Sequence, residues 1–230
     1  MTETTELHQK EQASGDFFDG WAAGYEDRRI SPWFQYTQRL AIDCLELRSD
    51  SRVLDVGCGT GFAVRELAAK LADGKACGID ISDGMVEQAS RRVPPELADR
   101  VEIRQASSSS IPYPDGFFTH LMCTNSFHHY PEPVEALREM QRVLEPGGEL
   151  VIFENAPDLS LYTRFWDLAL RMFETGHVRY YTSKQLGEIL EKAGLEDRRL
   201  RALRNEFRSH GKLFASIQIW SARKPASESR

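Results

Sequence analysis

The residues best suited to chemistry in this chain are a run of glycines and an acidic residue that follows it. Gly57, Gly59 and Gly61 come directly after a short apolar run, and Asp80 lies near the end of the next apolar run, nineteen residues beyond Gly61. Glycine lacks a Cβ, so the backbone can turn sharply and a ligand can lie against it. An acid at the end of the second strand can accept hydrogen bonds from both hydroxyls of a ribose. Together they predict a site for an adenosine-type ligand.

The residues after the glycines exclude two related nucleotide sites. A dinucleotide fingerprint needs glycine three places after the second glycine, and here that position is Phe62. A P-loop for nucleoside triphosphates needs a Lys-Ser or Lys-Thr pair after the turn, which this sequence lacks there. One structural alternative stays open: the glycines form only a tight strand-to-helix turn, and Asp80 caps a helix.

The apolar pattern around these residues alternates between strands and helices. Strands are predicted at Arg52–Val56, Cys77–Ile81, Val101–Arg104, Leu121–Thr124, Glu149–Phe153 and Phe214–Trp220. Helical spacing is found at Val64–Leu71, Met85–Ala89, Glu132–Leu144, Leu161–Phe173 and Ser183–Ala193. Repeated strand–helix–strand units favour an α/β fold in which a doubly wound, mostly parallel sheet has helices on both faces.

Four ordered motifs resemble those of class I S-adenosylmethionine-dependent methyltransferases, particularly the small-molecule group that includes the ubiquinone and menaquinone biosynthesis methyltransferases. The motifs are Val53–Gly61, Gly78–Ser82, Ile111–Gly116 and Leu144–Val151, and the resemblance is good over about residues 17–155. It implies a Rossmann-like sheet of seven strands with an N-terminal helical cap. It also implies S-adenosyl-L-methionine as the cofactor.

The resemblance implies a role for individual residues. Gly57 and Gly59 would approach the methionine end of the cofactor, and Asp80 would hold the ribose. Ile81 and Met85 would flank the adenine. The full set expected to bind the cofactor is Tyr25, Asp55, Gly57, Cys58, Gly59, Asp80, Ile81, Met85, Ser107, Ser108 and Asn125.

The chain departs from the family at the adenine edge of this site. The family commonly has Gly-Asp-Ala where this chain has Ala106-Ser107-Ser108. A hydroxyl would therefore replace the usual carboxylate beside the adenine amino group, and the contact there would be weaker.

Methyl transfer from a sulfonium is an in-line displacement that needs a positioned acceptor but no covalent nucleophile. If the acceptor is a hydroxyl or an acidic carbon, a general base helps. His128 or His129 is the first candidate, because imidazole titrates near neutral pH. The paired histidines could equally orient the loop or cap a carbonyl.

Aromatic residues in two parts of the chain are candidates for contacting the substrate. Residues of one helical stripe, which ends at Tyr25, could form a lid over the reacting end. A second aromatic group follows the fifth predicted strand. The candidate substrate contacts are Phe18, Trp21, Tyr162, Trp166 and Tyr181. Aromatic stripes at helical spacing are more often core than pocket, so ordinary packing remains the alternative.

We expect one methyltransferase domain over residues 17–222, between a flexible arm and a short tail. The expected parts are an arm at 1–16, a helical cap at 17–48, a cofactor-binding core at 51–155, substrate-side helices and closing strands at 156–222, and a tail at 223–230.

Composition places the chain among soluble globular proteins, with 41% apolar and 28% charged residues. A net charge of −6 argues against DNA binding, and no apolar run approaches the ~20 residues that span a bilayer, so we expect a cytoplasmic protein. The four separated cysteines predict neither disulfides nor a metal site. Arg198–Lys212, with six basic residues and one acid, could steer an acidic substrate, contact an anionic membrane surface peripherally, or form only a solvated hairpin.

These observations predict an S-adenosylmethionine-dependent methyltransferase acting on a small, apolar or aromatic metabolite, with O- or C-methylation favoured over N-methylation. The first alternative is a protein that binds the cofactor without transferring the methyl group, as a sensor or partner subunit. RNA methylation ranks third, because it would need a broader basic surface with stacking aromatics. Nothing in the sequence predicts an oligomeric state.

Overall fold

The computed structural model describes residues 3–25, 31–173, 176–204 and 216–226. Within these ranges seven strands form one sheet: β1 Arg52–Val56, β2 Lys75–Asp80, β3 Val101–Gln105, β4 Phe118–Thr124, β5 Leu144–Asn155, β6 Glu196–Arg204 and β7 Ser216–Arg223. The strand order is β3-β2-β1-β4-β5-β7-β6. β7 pairs antiparallel with β5 and β6, and the other pairs are parallel. The expected Rossmann-like, mostly parallel sheet is confirmed.

Helices follow the strands as the sequence pattern predicted. They are α1 Glu3–Ala22, α2 Ser31–Ile42, α3 Phe62–Lys70, α4 Asp83–Arg91, α5 Pro133–Val143, α6 Leu161–Phe173 and α7 Ser183–Lys192. Short 3₁₀ helices lie at Pro95–Arg100 and Phe127–His129. No helix within the described ranges is both long enough and apolar enough to cross a bilayer.

The N-terminal segment differs from the expectation of a flexible arm over residues 1–16. From Glu3 onward it is helical and continuous with the predicted cap, because α1 runs to Ala22. Polar contacts help to hold this helix: Glu11 accepts a hydrogen bond from the Ser107 hydroxyl. Asp19 accepts further bonds at the start of α4, including one from the Gly84 amide. Sequence periodicity does not detect such contacts.

The C-terminal segment is described in part. Within the described residues, β7 runs from Ser216 to Arg223 and so extends three residues beyond the end of the predicted closing strand. Residues 214 and 215 lie outside the described residues, as do the end of the predicted tail at 227–230 and the basic residues Arg208 and Lys212.

The sheet has a packed core on each face. Leu54 of β1 lies in one cluster, which includes Leu137 of α5 and Leu186 of α7. Val53, its neighbour, lies in the other cluster with Leu67 of α3. Both strand faces are therefore buried, as expected for a central strand of a parallel sheet covered by helices.

β1 is the strand from which the sheet grows in two directions, with β2 and β3 on one side and β4 and β5 on the other. At such a switch point the loops after neighbouring strands diverge and leave a crevice at the carboxyl ends of the strands. The glycine turn at 57–61 follows β1, and Asn125 follows β4. The fold thus places the glycine turn and the Asn125–His129 segment at one crevice.

Candidate cofactor and methyl-transfer site

Residues of α1, α2 and the loops after β1, β2, β3 and β4 line a cleft at this crevice. It encloses about 1000 Å³ of empty space, counting its open mouth. Of the residues expected to bind the cofactor, those that line the cleft are Tyr25, Gly57, Cys58, Gly59, Asp80, Ile81, Met85, Ser107, Ser108 and Asn125.

The glycine turn is built on positions that only glycine fits well. Gly57 has a φ of +77°, and a Cβ there would lie 2.4 Å from the Ser126 hydroxyl oxygen. Gly59 has a φ of +52°, and a Cβ there would meet no atom within 4 Å. The Gly57 and Cys58 amides donate to the Ile79 carbonyl, at 2.8 and 3.0 Å. The turn is therefore fixed against β2, and no side chain of Gly57 or Gly59 covers its backbone on the side of the cleft.

Asp80 holds the turn and faces the cleft at once. Its Oδ2 accepts a hydrogen bond from the Gly59 amide at 2.8 Å, and its Oδ1 accepts one from the Ser82 amide at 3.0 Å. Burial raises the pKa of this carboxyl, and the two amide bonds oppose the rise. A carboxylate has about four lone-pair sites, so two amide bonds leave acceptor capacity for a pair of hydroxyls.

Asp55 does not take the position expected of it. It lies on β1 behind the turn, outside the cleft lining, and its two carboxyl oxygens have no hydrogen-bond partner among the described residues. Burial raises its pKa to about 8, and the nearby charge of Asp80 adds to the rise. The raised pKa favours the protonated form of Asp55, and its carboxyl group lies outside the cleft lining.

The loop after β4 forms the end of the cleft opposite the β3 loop. Asn125 has a φ of +53°, and its side-chain amide donates to the Thr37 hydroxyl of α2 at 2.8 Å. Two residues later the chain enters the 3₁₀ helix that carries His129. Phe18 of α1 lies edge-on to the His129 ring, with centroids 5.0 Å apart. The N-terminal cap and this loop therefore enclose an aromatic end of the cleft.

The structure separates the two histidines. His129 lines the cleft, and its Nδ1 lies 2.8 Å from the Gly176 carbonyl oxygen. A carbonyl can only accept, so Nδ1 carries the proton and Nε2 carries the lone pair. Burial lowers the pKa of His129 well below its usual value, and His128 lowers it further.

His128 lies behind His129 and outside the cleft lining. Its Nδ1 is 2.9 Å from Glu154 Oε1, and its ring is 4.1 Å from that of His129 between centroids. Burial raises the pKa of Glu154 to about 7. The Nε2 atom of His177 lies 3.0 Å from Asp167 Oδ1, and the His177 ring packs against the rings of both His128 and His129. This buried group supports the loop that presents the Gly176 carbonyl.

Of the five aromatic residues expected at the substrate, the structure brings Phe18 to the cleft. Tyr181 is buried in the core, with its ring 5.6 Å from Phe127. Tyr162 and Trp166 contact each other on α6 and are 46% and 43% exposed. Trp21 lies on α1, against Phe17 and outside the cleft lining. Helical spacing identified real aromatic faces but not the surface toward which each face turns.

Residues of α2 were missed by the sequence analysis. Phe34, Gln35 and Gln38 line the cleft, and Phe34 stacks on Tyr25 with centroids 5.7 Å apart. The Gln38 Oε1 atom is buried and has no hydrogen-bond partner among the described residues, and the same holds for Thr124 Oγ1. The spacing of Phe34 and Gln38, one helical turn apart, was the available signal. These polar atoms are candidates for contact with a bound ligand.

Comparisons with known proteins agree with this geometry. A family model described as "Methyltransferase domain" matches residues 54–152. "Methyltransferase GfsG" of Streptomyces halstedii is 33% identical over 192 residues, which cover 78% of this chain and 67% of that protein. "27-O-demethylrifamycin SV methyltransferase" of Amycolatopsis mediterranei is 40% identical, over 50% of this chain and 42% of that protein. "Demethylmenaquinone methyltransferase" of Symbiobacterium thermophilum is 30% identical, over 68% and 64%.

The chain thus spans less than half of the rifamycin enzyme and just under two thirds of the menaquinone enzyme. Among solved structures, a protein of Thermotoga maritima, described as an S-adenosylmethionine-dependent methyltransferase and possible histamine N-methyltransferase, superposes with a TM-score of 0.73. That structure is 20% identical, and the match covers 92% of this chain and 99% of that one. By its sequence relatives, its sheet order and its glycine turn, this chain belongs to the class I S-adenosylmethionine-dependent methyltransferases.

Proposed function

We propose that this chain transfers a methyl group from S-adenosylmethionine to a small, apolar or aromatic acceptor that enters beside His129. The observation that supports this most directly is the division of the cleft. One half has the glycine turn and Asp80, and the other half has aromatic walls and a single imidazole. The first half suits a nucleoside and an amino acid, and the second suits an acceptor with one acidic proton.

The residues present fit the cofactor. Asp80 has acceptor capacity left for the ribose hydroxyls, and the bare backbone at Gly57 and Gly59 allows close approach of the methionine part. The partnerless Gln38 and Thr124 oxygens provide further polar contacts. When bound, S-adenosylmethionine supplies an electrophilic methyl group on a sulfonium.

His129 is the residue we propose as general base. Its Nδ1 donates to the Gly176 carbonyl, so Nε2 is the basic nitrogen of the ring, and we propose that Nε2 takes the proton of an acceptor hydroxyl or acidic carbon. Because burial lowers its pKa, the ring is neutral and able to accept a proton at pH 7. Of the residues predicted to be the base, His129 is favoured over His128, since His128 lies outside the cleft lining.

Aromatic residues of the cap exclude water from the acceptor. Phe18 packs on His129, and the stacked pair of Tyr25 and Phe34 lies along the same cleft. A dry site favours in-line displacement, because water competes neither for the methyl group nor for the base. The acceptor we propose is apolar or aromatic because these walls offer it ring and aliphatic surface.

Methyl transfer can be tested with labelled S-adenosylmethionine and a panel of acceptors. Two relatives are named for rifamycin and menaquinone derivatives, so the panel contains 27-O-demethylrifamycin SV, demethylmenaquinol, simple phenols and, as a contrasting class, phosphoethanolamine and unmodified transfer RNA. We expect mass spectrometry to find a methylated product with an apolar or aromatic member. Transfer only to phosphoethanolamine or RNA would contradict the proposed acceptor class. Tight cofactor binding without transfer to any member would favour the binding-only alternative.

A further inference from the structure

The adenine end of the cleft contains a carboxylate that comes from outside the sheet. Glu11 of α1 lines the cleft together with Ser107 of the β3 loop. The Ser107 hydroxyl donates to Glu11 Oε1 at 2.8 Å. The same hydroxyl oxygen accepts a hydrogen bond from the Ser109 amide at 3.1 Å. Because the Ser109 amide donates to the Ser107 oxygen, the hydroxyl proton of Ser107 points away from Ser109 and is donated to the carboxylate of Glu11.

The position of Asp80 decides which part of a nucleoside would reach Glu11. With the ribose at Asp80 on β2, the base extends away from β1 and toward the β3 loop, because the glycine turn after β1 takes the methionine end. The side chains of Ile81, Met85 and Ala106 line this part of the cleft and offer apolar contact to the ring faces. An adenine base there presents its amino-bearing edge to the polar groups at the end of the cleft.

The chemistry of that edge matches a carboxylate. Adenine presents a 6-amino group with two hydrogen-bond donors, whereas hypoxanthine presents a carbonyl oxygen at the same position. A carboxylate accepts hydrogen bonds and cannot donate them, so it favours the amino group and opposes the carbonyl. Charge-assisted hydrogen bonds of this kind are about twice as strong as neutral ones.

We propose that the Glu11 carboxylate accepts a hydrogen bond from the adenine amino group of the cofactor. Ser107 is the positioning residue that orients Glu11. The carboxylate expected from the β3 loop in this family is thereby supplied by the N-terminal helix. Asp19 of α1 accepts two hydrogen bonds from the start of α4, one from the Gly84 amide at 2.9 Å and one from the Ser82 hydroxyl. These bonds hold α1 beside the adenine end of the cleft. This inference rests on the cofactor placement proposed above.

The test compares two ligands by calorimetric titration: S-adenosylhomocysteine and S-inosylhomocysteine, in which a carbonyl replaces the 6-amino group. We expect the wild-type protein to prefer the adenosyl ligand by at least about tenfold. In Glu11→Gln this preference should fall to about twofold, because a carboxamide can turn either its oxygen or its NH₂ toward the base. Ser107→Ala should reduce the preference partly, by releasing Glu11.

Asp16→Asn is the matched control, since Asp16 is an exposed acid on the same helix. It should leave both affinities and their ratio unchanged. A purely structural role for Glu11 would weaken both ligands equally, so an unchanged ratio in Glu11→Gln would overturn the inference while leaving the proposed function intact. A wild-type protein that binds neither ligand would overturn both.

Discussion

At the scale of single residues, the site depends on which polar atoms the backbone has already engaged. Asp80 accepts hydrogen bonds from backbone amides and His129 donates one to a backbone carbonyl, and both side chains still face the cleft. Asp55 and His128 have the same residue types as Asp80 and His129, but they lie behind the residues that line the cleft. Residue type therefore identifies candidates, and only packing separates those that can reach a ligand from those that support it.

The role of His129 predicts a specific split between binding and turnover. In His129→Gln we expect S-adenosylhomocysteine affinity to stay within about twofold, whereas the rate of methyl transfer falls by about 100-fold or more, as for loss of a general base. In the His128→Asn variant the loss should be smaller, because His128 acts through its neighbours. A larger loss in His128→Asn than in His129→Gln would assign the base to His128.

The pH profile of the wild-type rate provides an independent check on His129. The base must be neutral, so the rate falls with pH only below the pKa of the ring. Because burial lowers that pKa well below its usual value, the rate should be flat from about pH 8 down through 6.5 and should fall only at more acidic pH. A half-maximal rate at or above pH 6.5 would contradict a buried neutral base.

At the scale of elements, the strand–glycine–helix units were predictable because each repeats a local pattern. The turn after β1, the Ser82 cap that accepts from the Met85 amide and the capping box of Thr182 and Gln185 at α7 all have sequence signals. The first part of α1 and the cleft-facing side of α2 had no comparable signal. Their positions depend on hydrogen bonds to distant residues, such as the one between Glu11 and Ser107.

The docking of α1 predicts a loss of affinity when its anchor is removed. Asp19 accepts from the Gly84 amide and the Ser82 hydroxyl, so Asp19→Ala removes two bonds that are worth about 0.5–1.5 kcal/mol each. We expect S-adenosylhomocysteine to bind about three- to tenfold more weakly, with no large change in overall unfolding. Asp16→Ala on the same helix is the control. Equal affinities in the two variants would show that α1 does not contribute to the site.

At the scale of the whole molecule, two buried acids near the carboxyl ends of the central strands, Asp55 and Asp80, link the free energy of unfolding to pH. Asp55 has a folded-state pKa of about 8, above its ordinary value of 3.8. Between these two values the unfolded chain has released the proton and the folded chain retains it, so the free energy of unfolding falls as pH rises. Burial of Asp55 therefore lowers the free energy of unfolding at neutral and basic pH.

The variant Asp55→Asn tests this linkage. It keeps the size of the side chain and removes the ionisation, so its free energy of unfolding should depend less on pH than that of the wild type. Relative to wild type, the variant should gain more than about 1 kcal/mol between pH 5 and pH 8, because one unit of pKa shift corresponds to about 1.4 kcal/mol. Urea denaturation at pH 5, 6.5 and 8 gives the comparison. Parallel stability curves for the two proteins would refute it.

We infer that the cleft at the switch point of the sheet binds S-adenosylmethionine through Asp80. Calorimetric titration of the wild-type chain, Asp80→Asn and the exposed control Asp83→Asn with S-adenosylhomocysteine tests it most directly. We expect micromolar binding to the wild type and the control, worth about 8 kcal/mol, and at least about tenfold weaker binding to Asp80→Asn. Binding that is equally strong in all three proteins, or absent from the wild type, would contradict it.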